Sequence, residues 1–352
     1  MPGFFVGNIE HGVLINEFND RCIQEQTIID ELFFARNTLD RFLLDKPFYG
    51  NDEYALIIEG VLLNKHELLV RFNASSVEEL AISLYKLEGD AFFRHFRGPF
   101  SGAFLDRQNE KLIVYTNHMG DNAVFYHVDT NGHFAFGSQV NYIASALRAK
   151  GIKEELDEAA VLQMLTYGFM IDDSTFISQI KRLLPGCYAV LQLKDRSWSL
   201  HSYYRPKGHK VSLDGWSREE ILEQVDRLFV QAVRREFDKD REYGYRHLCD
   251  LSGGLDSRMT TWVAHEQGYE DCLNLTYCQA GYADQIIAEQ IAADLGNEFL
   301  FKSLDDASFI YEPDRIVRMN NGLALYAGIT GGESLLRMLD ISQFGLEHTG
   351  QA

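Results

Sequence analysis

One stretch constrains this chain more than any other. Leu251-Ser252-Gly253-Gly254-Leu255-Asp256-Ser257 lies between a short apolar run, His247 to Leu251, and a helical pattern, Arg258 to Glu266. Two adjacent glycines let the backbone turn sharply and approach a bound group closely. The amide N–H groups of such a turn point inward, and the helix start adds partial positive charge. Ser252 and Ser257 contribute hydroxyl donors. The result is a cradle for phosphate oxygens. Asp256 is the odd member, because a carboxylate repels phosphates unless a cation stands between them, which points to Mg²⁺ at Asp256. The stretch is neither a GxxxxGK(S/T) loop nor GxGxxG. The plain alternative is a Gly-Gly turn whose Asp and Ser only cap a helix.

The surroundings decide how that loop is read. After a polar linker at 206–217, opened by Arg205-Pro206-Lys207-Gly208-His209-Lys210, strand and helix patterns alternate. Ser217 and Glu220 form a capping box, and Ile221, Leu222, Val225, Leu228, Phe229, Ala232 and Val233 make one apolar stripe. Leu273 to Tyr277 and Phe299 to Leu304 are strands. Between them Ile287, Ala288, Ile291, Ala292 and Leu295 stripe a helix that Gly296 ends. Such alternation calls for a parallel sheet with right-handed crossovers, an α/β domain over 218–352.

Residues 1–205 follow a different rhythm. Phe4 to Val6, Ala55 to Ile58, Leu112 to Tyr115, Phe134 to Phe136 and Tyr188 to Leu193 are of strand length, several of them flanked by turn residues. Val77, Leu80, Ala81, Leu84 and Leu87 recur at helical spacing, as do Ala160, Val161, Met164 and Leu165 behind an Asp157 cap. This half reads as layered α+β, and 352 residues suit two such domains.

Composition narrows the function classes. The net charge of −19 repels nucleic-acid backbones, and no basic stripe interrupts it. No apolar run reaches the roughly 18 residues of a membrane span, and the N-terminus lacks the pattern of a secretory signal. Five cysteines, Cys22, Cys187, Cys249, Cys272 and Cys278, show no CxxC spacing. Reduced thiols in a cytoplasmic protein, without zinc, are the expectation.

At this point the chain resembles a known family. SGGLDS at the end of a first strand is the signature of the PP-loop ATP pyrophosphatases, and with Leu before it and a helix behind it looks like asparagine synthetase. Upstream, Lys46-Pro47-Phe48-Tyr49-Gly50-Asn51 followed by Ala55 to Asn64 is similar to that family's glutaminase stretch. Arg97-Gly98-Pro99-Phe100-Ser101-Gly102-Ala103-Phe104-Leu105-Asp106 resembles its Gly-x-Phe-Ala-Phe-Ala-x-x-Asp strand. Asn117-His118-Met119-Gly120, Phe136-Gly137-Ser138 and Leu184-Pro185-Gly186 follow in the family's order. The resemblance implies an Ntn-type αββα sandwich of the class II glutamine amidotransferase kind, joined to a PP-loop ATP domain that is incomplete at its C-terminus.

The departures from the family shape what is expected. Its glutaminase nucleophile is a Cys directly after the initiator Met, and here that position is Pro2. Its Asn-Gly-Glu becomes Glu59-Gly60-Val61, and a later substrate-binding Asp falls near Val77. Valine cannot replace the polar groups that recognise glutamine, so no catalytic residue is expected in the first domain. For the second domain, the resemblance implies that Leu251 and Tyr277 line the adenine through backbone contacts. Ser252, Gly253, Gly254, Leu255, Asp256 and Ser257 would hold pyrophosphate, and Thr349-Gly350 would align with a second phosphate loop. That loop normally continues into an Asp-Glu pair, and this sequence stops at Ala352 before it.

Smaller features take plainer readings. Asp284 and Glu289 read as a solvated helix face, His118 and His247 as structural hydrogen-bonding groups, Tyr203-Tyr204 as core or interface, and Leu304-Asp305-Asp306 as a turn. The function expected is an ATP- and Mg²⁺-dependent ligase. It would adenylate a small-molecule or peptide carboxylate, release pyrophosphate and pass the acyl group to ammonia or an amine, without glutamine hydrolysis. β-Lactam synthetases and lasso-peptide cyclases are similar in that respect, and a homodimer is compatible with the reading. The alternatives are a non-catalytic homologue, or a fragment acting as a binding scaffold. A tRNA-modifying PP-loop enzyme is disfavoured by the negative charge.

Overall fold

The computed structural model describes residues 2–9, 22–206, 212–311, 313–324 and 330–350. It forms two compact units, one of Met1–Lys207 with Val317–Leu325 and one of Gly208–Ile316 with Tyr326–Ala352.

In the first unit the chain runs β1 (Gly3–Gly7), β2 (Cys22–Ile29), β3 (Leu32–Leu39), β4 (Phe48–Gly50), β5 (Tyr54–Gly60), α1 (Lys65–Phe72), α2 (Val77–Glu88), β6 (Phe100–Asp106) and β7 (Lys111–Thr116). It continues through β8 (Val124–Val128), β9 (Phe134–Gly137), α3 (Val140–Ala149), α4 (Glu158–Tyr167), β10 (Lys181–Leu183), β11 (Cys187–Gln192) and β12 (Trp198–Ser202). The strands make two six-stranded sheets, ordered β10-β8-β9-β1-β3-β2 and β12-β11-β7-β6-β5-β4.

Period-two alternation explains why the sheets stack. In β5, Ala55 and Ile57 join Phe4, Val6, Phe34, Ala103 and Leu105 in the cluster between the sheets. Leu56 and Ile58 of the same strand turn outward, to Leu80, Leu84, Phe92 and Phe104 beneath the α2 side. On the outer face of the other sheet, Phe5 and Ala35 meet Ile143 and Leu147 of α3. Four layers, αββα, follow from three apolar clusters. Each fully buried Leu or Phe contributes about 1.5–3 kcal/mol.

In the second unit, α5 (Arg218–Tyr243) precedes β13 (Arg246–Asp250), α6 (Leu255–Glu266), β14 (Cys272–Cys278), α7 (Ala283–Leu295) and β15 (Glu298–Ser303). Then come α8 (Pro313–Met319), which runs on into the first unit, α9 (Thr330–Leu336) and β16 (Phe344–His348). The sheet order is β15-β14-β13-β16, and every pair is parallel. The order reverses at β13, because the chain adds two strands on one side of it and then returns to add β16 on the other. In open parallel sheets, ligands bind outside the carboxyl ends of strands at such a reversal.

Several expectations need correcting. Helix α6 starts at Leu255, three residues before Arg258, because Gly254 takes the extended N-cap conformation without any side-chain cap. The apolar stripe of α5 packs only along its second half. Phe229, Val230, Val233 and Phe237 meet the sheet, whereas Leu222, Val225 and Leu228 stay exposed. Residues 317–325, placed by the sequence reading in the 218–352 domain, belong to the first unit. Met170 N–H donates to Leu323 O at 2.8 Å, and Val140 N–H donates to Asn321 Oδ1 at 2.9 Å. Of the expected linker, 207–211 lie outside the described residues.

Candidate functional site

At the carboxyl ends of β13, β14 and β16 lies a cavity of about 350 Å³, within the range of small-molecule sites. Asp250, Leu251, Ser252, Gly254, Asp256, Ser257, Leu275, Thr276, Tyr277, Asp284, Thr349 and Gly350 line it. The structure thus brings together residues that the sequence reading singled out from three separate places: the Gly-Gly loop, Tyr277 and Thr349-Gly350. Gly253 and Leu255 belong to the same loop, Gly253 beneath Asp284 and the Leu255 side chain exposed.

The loop is tied by its own hydroxyls and by one carboxylate. Ser252 N–H donates to Ser257 Oγ at 3.0 Å, and the two serine hydroxyls are also 3.0 Å apart. Gly254 N–H donates to Ser252 Oγ at 3.2 Å, and Gly253 N–H donates to Asp284 Oδ1 at 2.9 Å. Arg258 Nη2 donates to the Gly253 carbonyl at 3.0 Å and closes the loop from below. Thr276 Oγ1 donates to Leu251 O at 2.5 Å, fixing the loop's first residue on β14. Gly350 reaches the other side, where a Cβ would stand 2.2 Å from Ser257 N. Only glycine lets the second loop touch the first turn of α6.

Asp284 therefore departs from the solvated face expected of it, while Glu289 is exposed as read. A signal for this existed in the sequence. In a parallel α/β unit, consecutive helices start above neighbouring strand ends, so the first turns of α6 and α7 face one crevice. Asp250 is the other acid missed, lying on β13 beside Glu347 of β16. Burial, then the Glu347 charge and a hydrogen bond with it, push the Asp250 carboxyl up to about 7.

The polar donors facing the cavity are carboxylates, hydroxyls and backbone, with no imidazole or thiol among the described lining residues. An all-oxygen donor set suits a hard cation such as Mg²⁺. Asp250, Asp256 and Asp284 are the carboxylates of this lining that could hold such a cation.

The first unit has its own polar cluster where the resemblance locates a glutaminase. Pro2 heads β1, its carbonyl accepting from Gln139 Nε2 at 3.4 Å, and Phe4 N–H donates to Ser138 Oγ at 3.1 Å. Glu59 is buried, with Oε2 accepting from Thr38 Oγ1 at 2.9 Å and Oε1 without a partner among the described residues. Burial pushes its carboxyl up to about 7, against the opposing pull of nearby Lys46. Lys46 is itself buried and lowered in pKa by desolvation, and its Nζ donates to Leu39 O at 3.2 Å. Val77 lies in the apolar core behind β5, and Cys22 pairs with Leu39 across β2 and β3.

His118 is wedged against Tyr203 and Tyr204, its pKa pushed down to about 4 by burial and by Arg97. Tyr203 donates to Thr116 O at 2.8 Å and packs on Phe93, while Tyr204 remains exposed. His247 is buried and hydrogen-bonded to Asp240 at 2.8 Å. Ser303 Oγ caps the turn at Asp305, whose Oδ2 also accepts from Ala280 N–H. Among the described residues, no helix is long and apolar enough to cross a membrane.

Residues 44–204 match the glutamine amidotransferase domain family, and residues 224–319 match the asparagine synthase family. The protein named amidase chyE of Penicillium rubens is 25% identical over 221 residues, 60% of this chain and 31% of that protein. Asparagine synthetase (glutamine-hydrolyzing) 1 of Bacillus subtilis is 22% identical over 277 residues, 76% of this chain and 42% of that one. The chain thus spans about a third to two fifths of the length of these curated relatives. The glutamine phosphoribosylpyrophosphate amidotransferase of B. subtilis, solved with ADP and GMP, aligns with a TM-score of 0.34 and 11% identity over 86% of this chain and 85% of that one. The chain thus carries a stretch matching the glutamine amidotransferase domain family followed by one matching the asparagine synthase family, and in that order it resembles the asparagine synthetases.

Proposed function

We propose that the second unit binds ATP with Mg²⁺ for an amide-forming ligase that adenylates a carboxylate and hands the acyl group to ammonia or an amine. The observation carrying this reading is the convergence of the Ser252–Ser257 loop, Tyr277 and Thr349-Gly350 on one cavity at the reversal point of a parallel sheet. Attack of the carboxylate oxygen on the α-phosphorus would form the acyl-adenylate and break the bond from that phosphorus to the α,β-bridging oxygen, which leaves with the β- and γ-phosphates as pyrophosphate. Loop amides, the α6 N-terminus and the cation would stabilise charge on the leaving group. Asp284 accepts from the Gly253 N–H at 2.9 Å, a bond that would have to open before this amide could reach a phosphate oxygen.

The first unit is proposed to hydrolyse no glutamine. Proline at the head of β1 offers neither thiol nor hydroxyl. Glu59-Gly60-Val61 stands where the family's Asn-Gly-Glu holds glutamine, and valine offers none of the polar groups that such recognition needs.

Titration calorimetry with ATP and MgCl₂ tests the nucleotide site. Binding is expected in wild type, weakened about tenfold in Asp256→Ala and with less dependence on Mg²⁺. Wild type that binds no ATP, or an Asp256→Ala variant that binds it equally at every Mg²⁺ concentration, refutes the cradle.

A further inference from the structure

Thr349 and Gly350 enter the cavity from the end of β16, and that strand is gripped just upstream by one carboxylate from α5. Asp240 is fully buried. Its Oδ1 accepts from Leu346 N–H at 2.8 Å, and its Oδ2 accepts from His348 Nε2 at 2.7 Å and His247 Nδ1 at 2.8 Å. A Cβ on Gly345 would stand 2.0 Å from Asp240 Oδ1, so the strand runs directly against the carboxylate. Phe237, one turn before Asp240, stacks on the His348 ring with centroids 3.8 Å apart. His348 in turn faces Cys249 of β13 in register. One side chain thereby joins α5, β13 and β16.

The charge state is consistent with that role. Burial opposes ionisation of Asp240, but the hydrogen bonds from His247 and His348 outweigh it and leave its pKa lowered. Burial likewise opposes a cationic His348, and the bonds to Asp240 and Glu236 outweigh it. Asp240, His247 and His348 lie close enough together to be considered as cation ligands. However, Oδ2 already meets two ring nitrogens at N–H···O distances, and an ionised carboxylate only accepts. The trio is a hydrogen-bonded clamp.

We propose that Asp240 is a positioning residue for the nucleotide site. By fixing β16 through Gly345, Leu346 and His348, it sets where Thr349-Gly350 stands against Ser257, and so how tightly pyrophosphate is held. The proposal rests on the nucleotide reading above. It predicts a selective loss, because the loop–α6 contact lies on the phosphate side, whereas Leu251 is held by Leu275 O and Thr276 Oγ1 of β14 and Tyr277 lies within β14, a strand outside the three elements that Asp240 joins.

The experiment compares pyrophosphate with Mg²⁺ against adenosine, by titration calorimetry on the intact chain. Asp240→Ala is expected to lose about tenfold or more in pyrophosphate affinity at unchanged adenosine affinity. Asp240→Asn is expected to restore most of it. Its carbonyl can still accept from Leu346, and its NH₂ can donate to both neutral imidazoles. If Asp240→Ala does not fold, His348→Leu replaces it, removing one donor at similar bulk, and the same selective loss is expected. Unchanged pyrophosphate affinity in a folded variant, or equal losses for both ligands, overturns the clamp alone. Wild type that binds neither ligand overturns the nucleotide reading and the clamp with it.

Discussion

Glu59 gives the sharpest quantitative prediction about the first unit. Its carboxyl is pushed up from 4.5 to about 7 in the folded protein, chiefly by burial. A raised folded pKa means that the folded state holds this proton more tightly than the unfolded chain does. Stability is therefore greatest below the unfolded value and is lost as pH rises through about 7. The loss is about 3 kcal/mol, from some 2.5 pH units at 1.36 kcal/mol each. Glu59→Gln removes the titration while its amide oxygen can still accept from Thr38 Oγ1. At pH 8 the variant is expected to be more stable by about 2–3 kcal/mol, and at pH 4.5 the two proteins should differ little. With a urea m-value of about 2 kcal/mol/M, the pH 8 midpoint moves up by about 1–1.5 M. The assay equilibrates both proteins in urea at each pH, then applies a brief deuterium pulse at one fixed pH and follows peptides from β3 and β5. Equal midpoints at pH 8, or a gain that persists undiminished at pH 4.5, refutes the account of Glu59 as a carboxyl disfavoured by burial.

Two further predictions concern the second unit. Gly350→Ala places a methyl 2.2 Å from Ser257 N, against backbone that cannot swing aside. An overpacking cost of about 1–3 kcal/mol, borne by the loop contact, should weaken ATP binding about tenfold or more in calorimetry, and wild-type affinity would refute the contact. Ser217→Ala removes the hydroxyl that accepts from Glu220 N–H at 3.1 Å in the α5 capping box, at a cost of about 1 kcal/mol. Faster amide exchange is expected in the first turn of α5, with no change at β13.

Much of the architecture was legible because local chemistry and global fold agree. The capping box of Ser217 and Glu220 marks the start of α5, Asp157 accepts from Ala160 N–H at the start of α4, and Gly296 ends α7 in the left-handed conformation. The Gly-Gly loop lies between a strand and a helix, as its flanking patterns indicate. Strands β2 and β3 were missed for opposite reasons. Gln24, Glu25 and Gln26 lie on an edge strand, where no apolar alternation is required. Arg36, Asn37 and Thr38 interrupt β3 with buried polar groups, and Arg36 finds its partners across the fold, in Glu25 and the Lys46 carbonyl. Asp240 carries no sequence signal at all. On a helix rich in charge it looks like one more solvated acid, and its burial depends on two histidines and a glycine from strands that follow it in the chain.

The sheet order also has a kinetic consequence. The loop's own serine contacts are local, within one strand–loop–helix unit, but Gly350 meets Ser257 only after about ninety intervening residues have found their places. Parallel β13–β16 pairing has to meet that loop-closure entropy before any contact rewards it. The cavity is therefore among the last features of its unit to become whole. A ligand spanning both loops would bind only molecules that have completed folding, and through mass action would draw the remainder after them.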